Sequence, residues 1–320
     1  MKIIFLGSGD FGSETLKWLV RSEHEILEVA TQPARPAGRG RKAQPTAIAA
    51  LSAGFGLSCR ETIDVNDTSS VEHIRLLRPD VLLVIAFGQW VGSELLNLPD
   101  CRVINLHASL LPRYRGAAPI NWAIINGDQR TGLTVIELND VWDGGNILGQ
   151  CATDIQPGET AGQLHDRLAL MGPNLVEDVL EGIAQGSVTS IVQDEQTACR
   201  APKLCKSDGA IHWDFPAERI RNLIHGIWPW PGAFCFLEQS GKKKPERISL
   251  AHAEIISDSC PEPSAGTTVL PGTVADDLTI CCGSGRLKLL QVRPENGKLM
   301  DFTAFVNGRH LKPGDLFLNG

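Results

Sequence analysis

Apolar and polar positions in the first half of the chain switch repeatedly between two periods. Lys2 to Leu6 and Glu25 to Thr31 are short, largely apolar runs with the length of buried strands. Between them, an amphipathic stretch reaching about Val20 reads as a helix. Helical patterns near Thr46 to Ala53 and Val71 to Leu77 flank a short strand near Leu57 to Arg60. Asp80 to Phe87 is almost continuously apolar, as a central parallel strand covered on both faces requires. Arg102 to His107 predicts the next strand and Pro119 to Asn126 a helix. Thr131 to Leu138 and Ile147 to Thr153 predict two more strands, and Thr160 to Gln185 a long helix. This alternation predicts an α/β fold over residues 1–187, a Rossmann-like doubly wound, mostly parallel sheet.

After Gln185 the texture changes. Residues 188–205 hold few apolar positions and read as a linker. Over residues 206–320 the predicted strands are short and punctuated by Pro and Gly: Gly232 to Leu237, Ile248 to Ile256, Gly272 to Val274, Leu278 to Cys281 and Arg286 to Val292. Such strands suggest a smaller β-barrel, and an OB-like barrel is one option. Cys260 to Leu270 reads as a loop rich in Ser, Pro and Gly.

Length supports the division, since 320 residues exceed one comfortable core. A net charge of −7 argues against a generic polyanion binder, so any nucleic acid must be met by local basic patches. The nine cysteines are odd in number and lack metal-ligand spacing, which favours free thiols in a reducing compartment and no metal. The N-terminal apolar run is too short for a signal peptide and no run approaches membrane-spanning length. The chain reads as a cytoplasmic protein with no membrane association, and as a monomer.

Gly7, Gly9 and Gly12 form a G-x-G-x-x-G between a strand and a helix, the pattern of dinucleotide sites. That pattern expects an acid at the end of the second strand to hold the ribose. Here the strand ends Val29-Ala30-Thr31-Gln32, with Glu28 still inside it. The glycines therefore read as a sharp turn and a close helix packing, and NAD is not expected.

The densest chemistry lies from Asn105 to Pro119. Asn105 and His107 stand two apart on a strand, on one face, at its carboxyl end. An amide donor beside an imidazole suits stabilisation of an oxyanion at a carbonyl under attack. A nearby carboxylate would hold such an imidazole in its cationic form, and Asp143, in a loop between two strands, is the candidate. No Ser or Cys nucleophile with its own base stands out. A strand-end His and a loop Asp before Gly-Gly also have plain structural uses.

Asn105-x-His107-x-Ser109-Leu110-Leu111-Pro112, followed by Arg115-Gly116-Ala117 and by Asp143 ahead of a glycine turn, resembles the signature of the folate-dependent formyltransferases. The resemblance implies that Asn105, His107 and Asp143 are the catalytic trio. It also implies that 10-formyltetrahydrofolate is the co-substrate. Its site would be lined by Ser109, Leu110, Leu111 and Pro112, by Ala86, Phe87 and Gly88, and by the loop that holds Asp140. Two departures stand out: the family usually has Pro at Gly9 and Gly at Val141, the latter in the loop expected to touch the pterin.

The trio does not choose the amine. Thr31 to Lys42 places Arg35, Arg39, Arg41 and Lys42 in a proline-braced loop, which resembles the tRNA-contacting loop of the formyltransferases that act on methionyl-tRNA. Arg35 matches the position that helps recognise initiator tRNA, with Ala34 replacing a common acid. Lys206 to Trp213, Trp228 to Ala233, and Leu299 to Asp315 extend the likeness through a second domain that binds tRNA in those enzymes. Lys203 and Lys206 are further candidate phosphate contacts, as are Lys242 to Lys244 and Arg247. The implied partner is initiator methionyl-tRNA. A formyltransferase acting on an amino sugar, or a formyltetrahydrofolate hydrolase, would keep the trio but would not need the basic loop.

Overall fold

The computed structural model describes residues 1–37, 42–239, 244–257 and 270–320. They form two compact units that are not consecutive along the chain. The first is Met1–Pro119, Thr131–Thr153 and His165–Ala201; the second is Ile120–Arg130, Asp154–Leu164 and Pro202–Gly320.

The first unit is built on a seven-stranded sheet. Its strands are β1 (Lys2–Gly7), β2 (Glu25–Thr31), β5 (Cys59–Glu61), β6 (Val81–Ile85), β7 (Arg102–His107), β8 (Arg130–Glu137) and β9 (Ile147–Asp154), in the order β5-β2-β1-β6-β7-β8-β9. Pairing is parallel from β5 to β7, and β8 runs antiparallel to β7. All five residues of β6 are buried, which explains its unbroken apolar run. Each such side chain contributes on the order of 1.5–3 kcal/mol of burial.

Helices α1 (Ser13–Leu19), α2 (Ala47–Phe55), α3 (Thr68–Leu77) and α4 (Ser93–Leu96) link these strands. Thr46 caps α2 by accepting from Ala49 N at 3.0 Å, and Asp67 caps α3 by accepting from Ser70 N at 2.9 Å. Helix α5 is Pro119–Ile125, and α6 (Ala161–Ala184) is the long helix the pattern predicts. Chain order reverses between β1, which leads to β2 and β5, and β6, which leads to β7. The carboxyl ends around that reversal are where an open α/β sheet receives its ligands.

The basic segment is more regular than the loop expected there. Strand β3 (Arg35–Ala37) pairs antiparallel with β4 (Lys42–Gln44), Arg35 opposite Gln44 and Ala37 opposite Lys42. Arg39 and Arg41 lie outside the described residues.

The second unit carries an antiparallel sheet in the order β12-β13-β11-β10-β15, with β14 on β13. These strands are β10 (Ala233–Glu238), β11 (Glu246–Ser257), β12 (Ile280–Cys281), β13 (Arg286–Pro294), β14 (Met300–Asp301) and β15 (Leu316–Leu318). Thr273 and Val274 close the ring: Thr273 bridges to Leu316 on β15 and Val274 to Ile280 on β12. The two edges are thereby joined, giving the barrel. Ile248, Leu250, Leu287, Val292 and Phe317 fill it at no more than 1% exposure. Helices α7 (Ala217–Gly226) and α8 (Phe302–Arg309) were not expected from the pattern. Among the described residues no helix is long and apolar enough to cross a membrane.

Candidate active site

Register puts Leu6, Val84, Asn105 and Ile136 side by side across β1, β6, β7 and β8. Asn105 is therefore held in mid-sheet, two residues before the end of β7. Its side-chain amide makes no hydrogen bond among the described residues and is half-buried, so its donors remain available. His107, two residues on, is 6% exposed. Its Nε2 lies 2.9 Å from the carbonyl oxygen of Tyr114, which can only accept, so Nε2 carries the hydrogen. Its Nδ1 lies 3.8 Å from Oδ1 of Asp143, too long for a direct hydrogen bond and short enough for an ion pair.

Asp143 sits at φ 52°, in the left-handed region, a strain of on the order of 1 kcal/mol for a residue other than glycine. Three hydrogen bonds hold its turn there. Gly116 N donates to Oδ2 at 2.8 Å, Gln193 Nε2 donates to the Asp143 carbonyl at 2.8 Å, and Gly144 N donates to Val141 O at 3.0 Å. At roughly 1 kcal/mol each, such bonds offset the strain. Gly145 has no alternative residue, since a Cβ there would stand 1.7 Å from the carbonyl oxygen of Glu137. Beside Asp143, Trp142 stacks on Trp90 with ring centres 5.3 Å apart, and both rings remain partly exposed.

The other expected site residues divide into two kinds. Ala86 (φ 46°) and Gly88 (φ 74°) are exposed at the turn after β6. Leu110 and Pro112 are half-buried, and Asp140 is exposed. Phe87, Ser109 and Leu111 face inward, at 2%, 0% and 3% exposure. Ser109 Oγ donates to the Arg113 carbonyl at 2.6 Å, so the hydroxyl holds its own loop. That loop is further braced by Thr134 and Gln150. Thr134 Oγ1 donates to Ser109 O and accepts from Leu111 N, and Gln150 Nε2 donates to Leu111 O at 2.8 Å. Thr134, Gln150 and Gln193 were not singled out from sequence, because isolated polar residues in a strand or a polar stretch give no spacing signal.

The glycine motif is accounted for by packing. A Cβ on Gly7 would stand 2.4 Å from the Phe5 ring, and one on Gly9 would stand 3.1 Å from Ala86 Cβ. At the end of β2, Thr31 Oγ1 bonds Thr46 Oγ1 at 2.6 Å, and Gln32 N donates to Ser8 Oγ at 3.0 Å. Glu28 is engaged by Arg60 and His73 at 3.0 and 2.8 Å. The acid inside that strand is therefore committed to other side chains.

Of the basic residues, Arg35 and Lys42 are exposed on β3 and β4, and the Arg35 guanidinium donates to Gln32 Oε1. Lys203 and Lys206 are exposed in the second unit, Lys206 opening a 3-10 turn over Lys206–Gly209.

Comparison with known proteins identifies the family. Residues 1–180 match the Formyl transferase family model, and residues 203–310 match Formyl transferase, C-terminal domain. The methionyl-tRNA formyltransferase of Moorella thermoacetica is 39% identical over 316 residues, covering 99% of both chains. The fold is shared with the methionyl-tRNA formyltransferase from Clostridium thermocellum, at TM-score 0.54 and 17% identity, over 80% of this chain and 94% of that one. It is shared also with an N-formyltransferase from Helicobacter canadensis, in complex with folinic acid and dTDP-3-aminofucose. That match has TM-score 0.64 and 15% identity, over 90% of this chain and 98% of that one. The chain belongs to the formyl transferase family, and within it to the methionyl-tRNA formyltransferases.

Proposed function

We propose that the chain transfers the formyl group of 10-formyltetrahydrofolate to the amino group of methionyl-tRNA, with initiator tRNA as the preferred acceptor. One observation carries the chemistry. Asn105, whose amide has no hydrogen bond among the described residues, and His107 share one strand face, and the Asp143 carboxylate stands 3.8 Å from Nδ1 of His107.

The donor supplies an activated formyl carbon. Asn105 and the protonated Nδ1 of His107 donate to the formyl oxygen as charge develops on it. Preorganised donors of this kind contribute about 3–4 kcal/mol each in acyl transfer. Because the Tyr114 carbonyl occupies Nε2, Nδ1 is the nitrogen that works. Asp143 supplies the countercharge to the imidazolium and accepts the proton shed by the attacking amine. A new C–N bond forms to the methionyl amine, the bond from the formyl carbon to the folate nitrogen breaks, and that nitrogen regains a proton.

The residues expected around the folate suit a flat, hydrogen-bonding ring. Ala86 and Gly88 present exposed main chain, and a Cβ on Gly88 would stand 2.6 Å from Gln32 Nε2. Leu110 and Pro112 offer apolar contact, Asp140 can accept from ring N–H groups, and Phe87, Ser109 and Leu111 support these from beneath. The exposed cations Arg35 and Lys42 support a tRNA acceptor over a small amine, with Lys203 and Lys206 available to phosphates.

His107→Ala and Asp143→Ala test the reading in a transfer assay with charged initiator tRNA. Each is expected to lower kcat by at least about a thousandfold while tRNA affinity is kept. Retained turnover in either variant removes these residues from the chemistry.

A further inference from the structure

Segment 190–201 lies in the stretch that sequence reads as a linker, yet it is bonded along its length to the turn that carries Asp143 and to the loop that fixes His107. Ile191 exchanges backbone hydrogen bonds with Ile147, at 2.8 and 2.9 Å, just beyond the Asp143 turn. Gln193, 5% exposed, uses all of its side-chain amide. Nε2 donates to the carbonyls of Asp143 and Gly145, at 2.8 and 2.7 Å. Oε1 accepts from Arg115, Nε at 3.1 Å and Nη2 at 2.8 Å. Arg115 follows Tyr114, whose carbonyl fixes His107. The main chain of Arg115 is itself clamped by this segment, its N donating to Cys199 O at 2.9 Å and its O accepting from Ala201 N at 2.7 Å. Glu195 completes the grip by accepting from Arg115 Nη1 and Nη2 at 2.9 and 2.7 Å.

The geometry points to Gln193 as a positioning residue that sets the spacing between His107 and Asp143. One buried amide spans the loop that orients the imidazole and the turn that presents the carboxylate. It touches neither reacting group. The 3.8 Å separation of Nδ1 and Oδ1 is too long for a hydrogen bond between them, so each remains able to bond a third group lying beside the pair. If the Asp143 turn relaxed toward His107, the two would close into a direct hydrogen bond and satisfy each other. If it relaxed away, the carboxylate would lose reach of the amine. Gln193 resists both motions because its donors and acceptor are committed to opposite walls. Misplacement by about 1 Å in such a site costs up to a hundredfold in rate. The inference rests on the catalytic roles given above to His107 and Asp143.

Two substitutions test it. Gln193→Glu keeps the shape and the acceptor for Arg115 but sets oxygen against the carbonyls of Asp143 and Gly145. Gln193→Met keeps approximate volume without polar atoms. Both are expected to lower kcat by about tenfold or more, with KM for the folate and for methionyl-tRNA within about twofold. The decisive readout is a cycle with Asp143→Ala in single-turnover transfer. If Gln193 acts through Asp143, adding Gln193→Met to Asp143→Ala lowers the residual rate no further. The same tenfold loss in the presence and absence of Asp143 overturns the proposal, as does wild-type kcat in either folded Gln193 variant. Full activity of Asp143→Ala alone would instead sink the catalytic reading on which the proposal rests.

Discussion

His225 makes the second unit acid-sensitive in a way that can be worked out in advance. It lies on α7, 2% exposed, against β11. Strand β11 loses register with β13 on both sides of His252, so the Ala253 N–H is diverted from the ladder. His225 Nε2 accepts that N–H at 3.1 Å, which only a nitrogen without hydrogen can do. Burial, then the nearby charges of His252 and Arg221, lower its pKa from 6.5 to about 4. The His252 ring, 4.4 Å away between centres, faces it directly.

A histidine held neutral by folding contributes stability that is complete above its unfolded pKa of 6.5 and is lost as pH falls toward 4. In that window the unfolded chain binds the extra proton, so stability rises with pH. Linkage between the two values gives a loss of about 2 kcal/mol on going from pH 7.5 to pH 5, and about 3 kcal/mol at the acid limit. Equilibrium urea unfolding at pH 7.5 and pH 5.0 measures it, compared with a non-titrating His225→Gln variant. The wild type should lose about 2 kcal/mol more than the variant between the two pH values. Equal losses would refute the reasoning, whatever the absolute stabilities.

Other expectations concern the site itself. Asn105→Ala removes an oxyanion donor and should lower kcat roughly 100- to 1,000-fold in the transfer assay, with little change in thermal midpoint. Gly145→Ala forces a Cβ to 1.7 Å from the Glu137 carbonyl oxygen. The Asp143 turn must then move, and kcat should fall about a hundredfold while circular dichroism stays native. Arg35→Ala should raise KM for initiator methionyl-tRNA by about tenfold and leave KM for the folate unchanged in steady-state kinetics.

What could be read from the sequence follows from where the signal is local. Strand β6 was legible because burial on both faces demands an unbroken apolar run. Asn105 and His107 were legible because a strand brings alternate residues to one face. Asp143 was picked out by its glycine turn and by family resemblance, and its carboxylate lies 3.8 Å from His107. The ladder between β3 and β4 was missed, since Arg35-Pro36-Ala37 and Lys42-Ala43-Gln44 show no apolar alternation and are held by each other. Helix α7 did leave a signal, with Ile220 and Ile224 on its buried side, but short Pro-punctuated strands dominated that region. Gln193 was invisible for a different reason. The role proposed for it comes from four hydrogen bonds to three residues in two other loops, and no residue near it in sequence records them. The same holds for barrel closure through Thr273 and Val274, which depends on pairing between distant edges.

The most direct measurement is transfer from 10-formyltetrahydrofolate to charged initiator methionyl-tRNA, with charged elongator methionyl-tRNA and tRNA-free reactions as controls. The expected result is one N-formylmethionyl-tRNA formed per donor consumed, mainly on the initiator. Donor consumed with neither tRNA formylated, or formyl delivered to a different amine, would contradict the proposed acceptor.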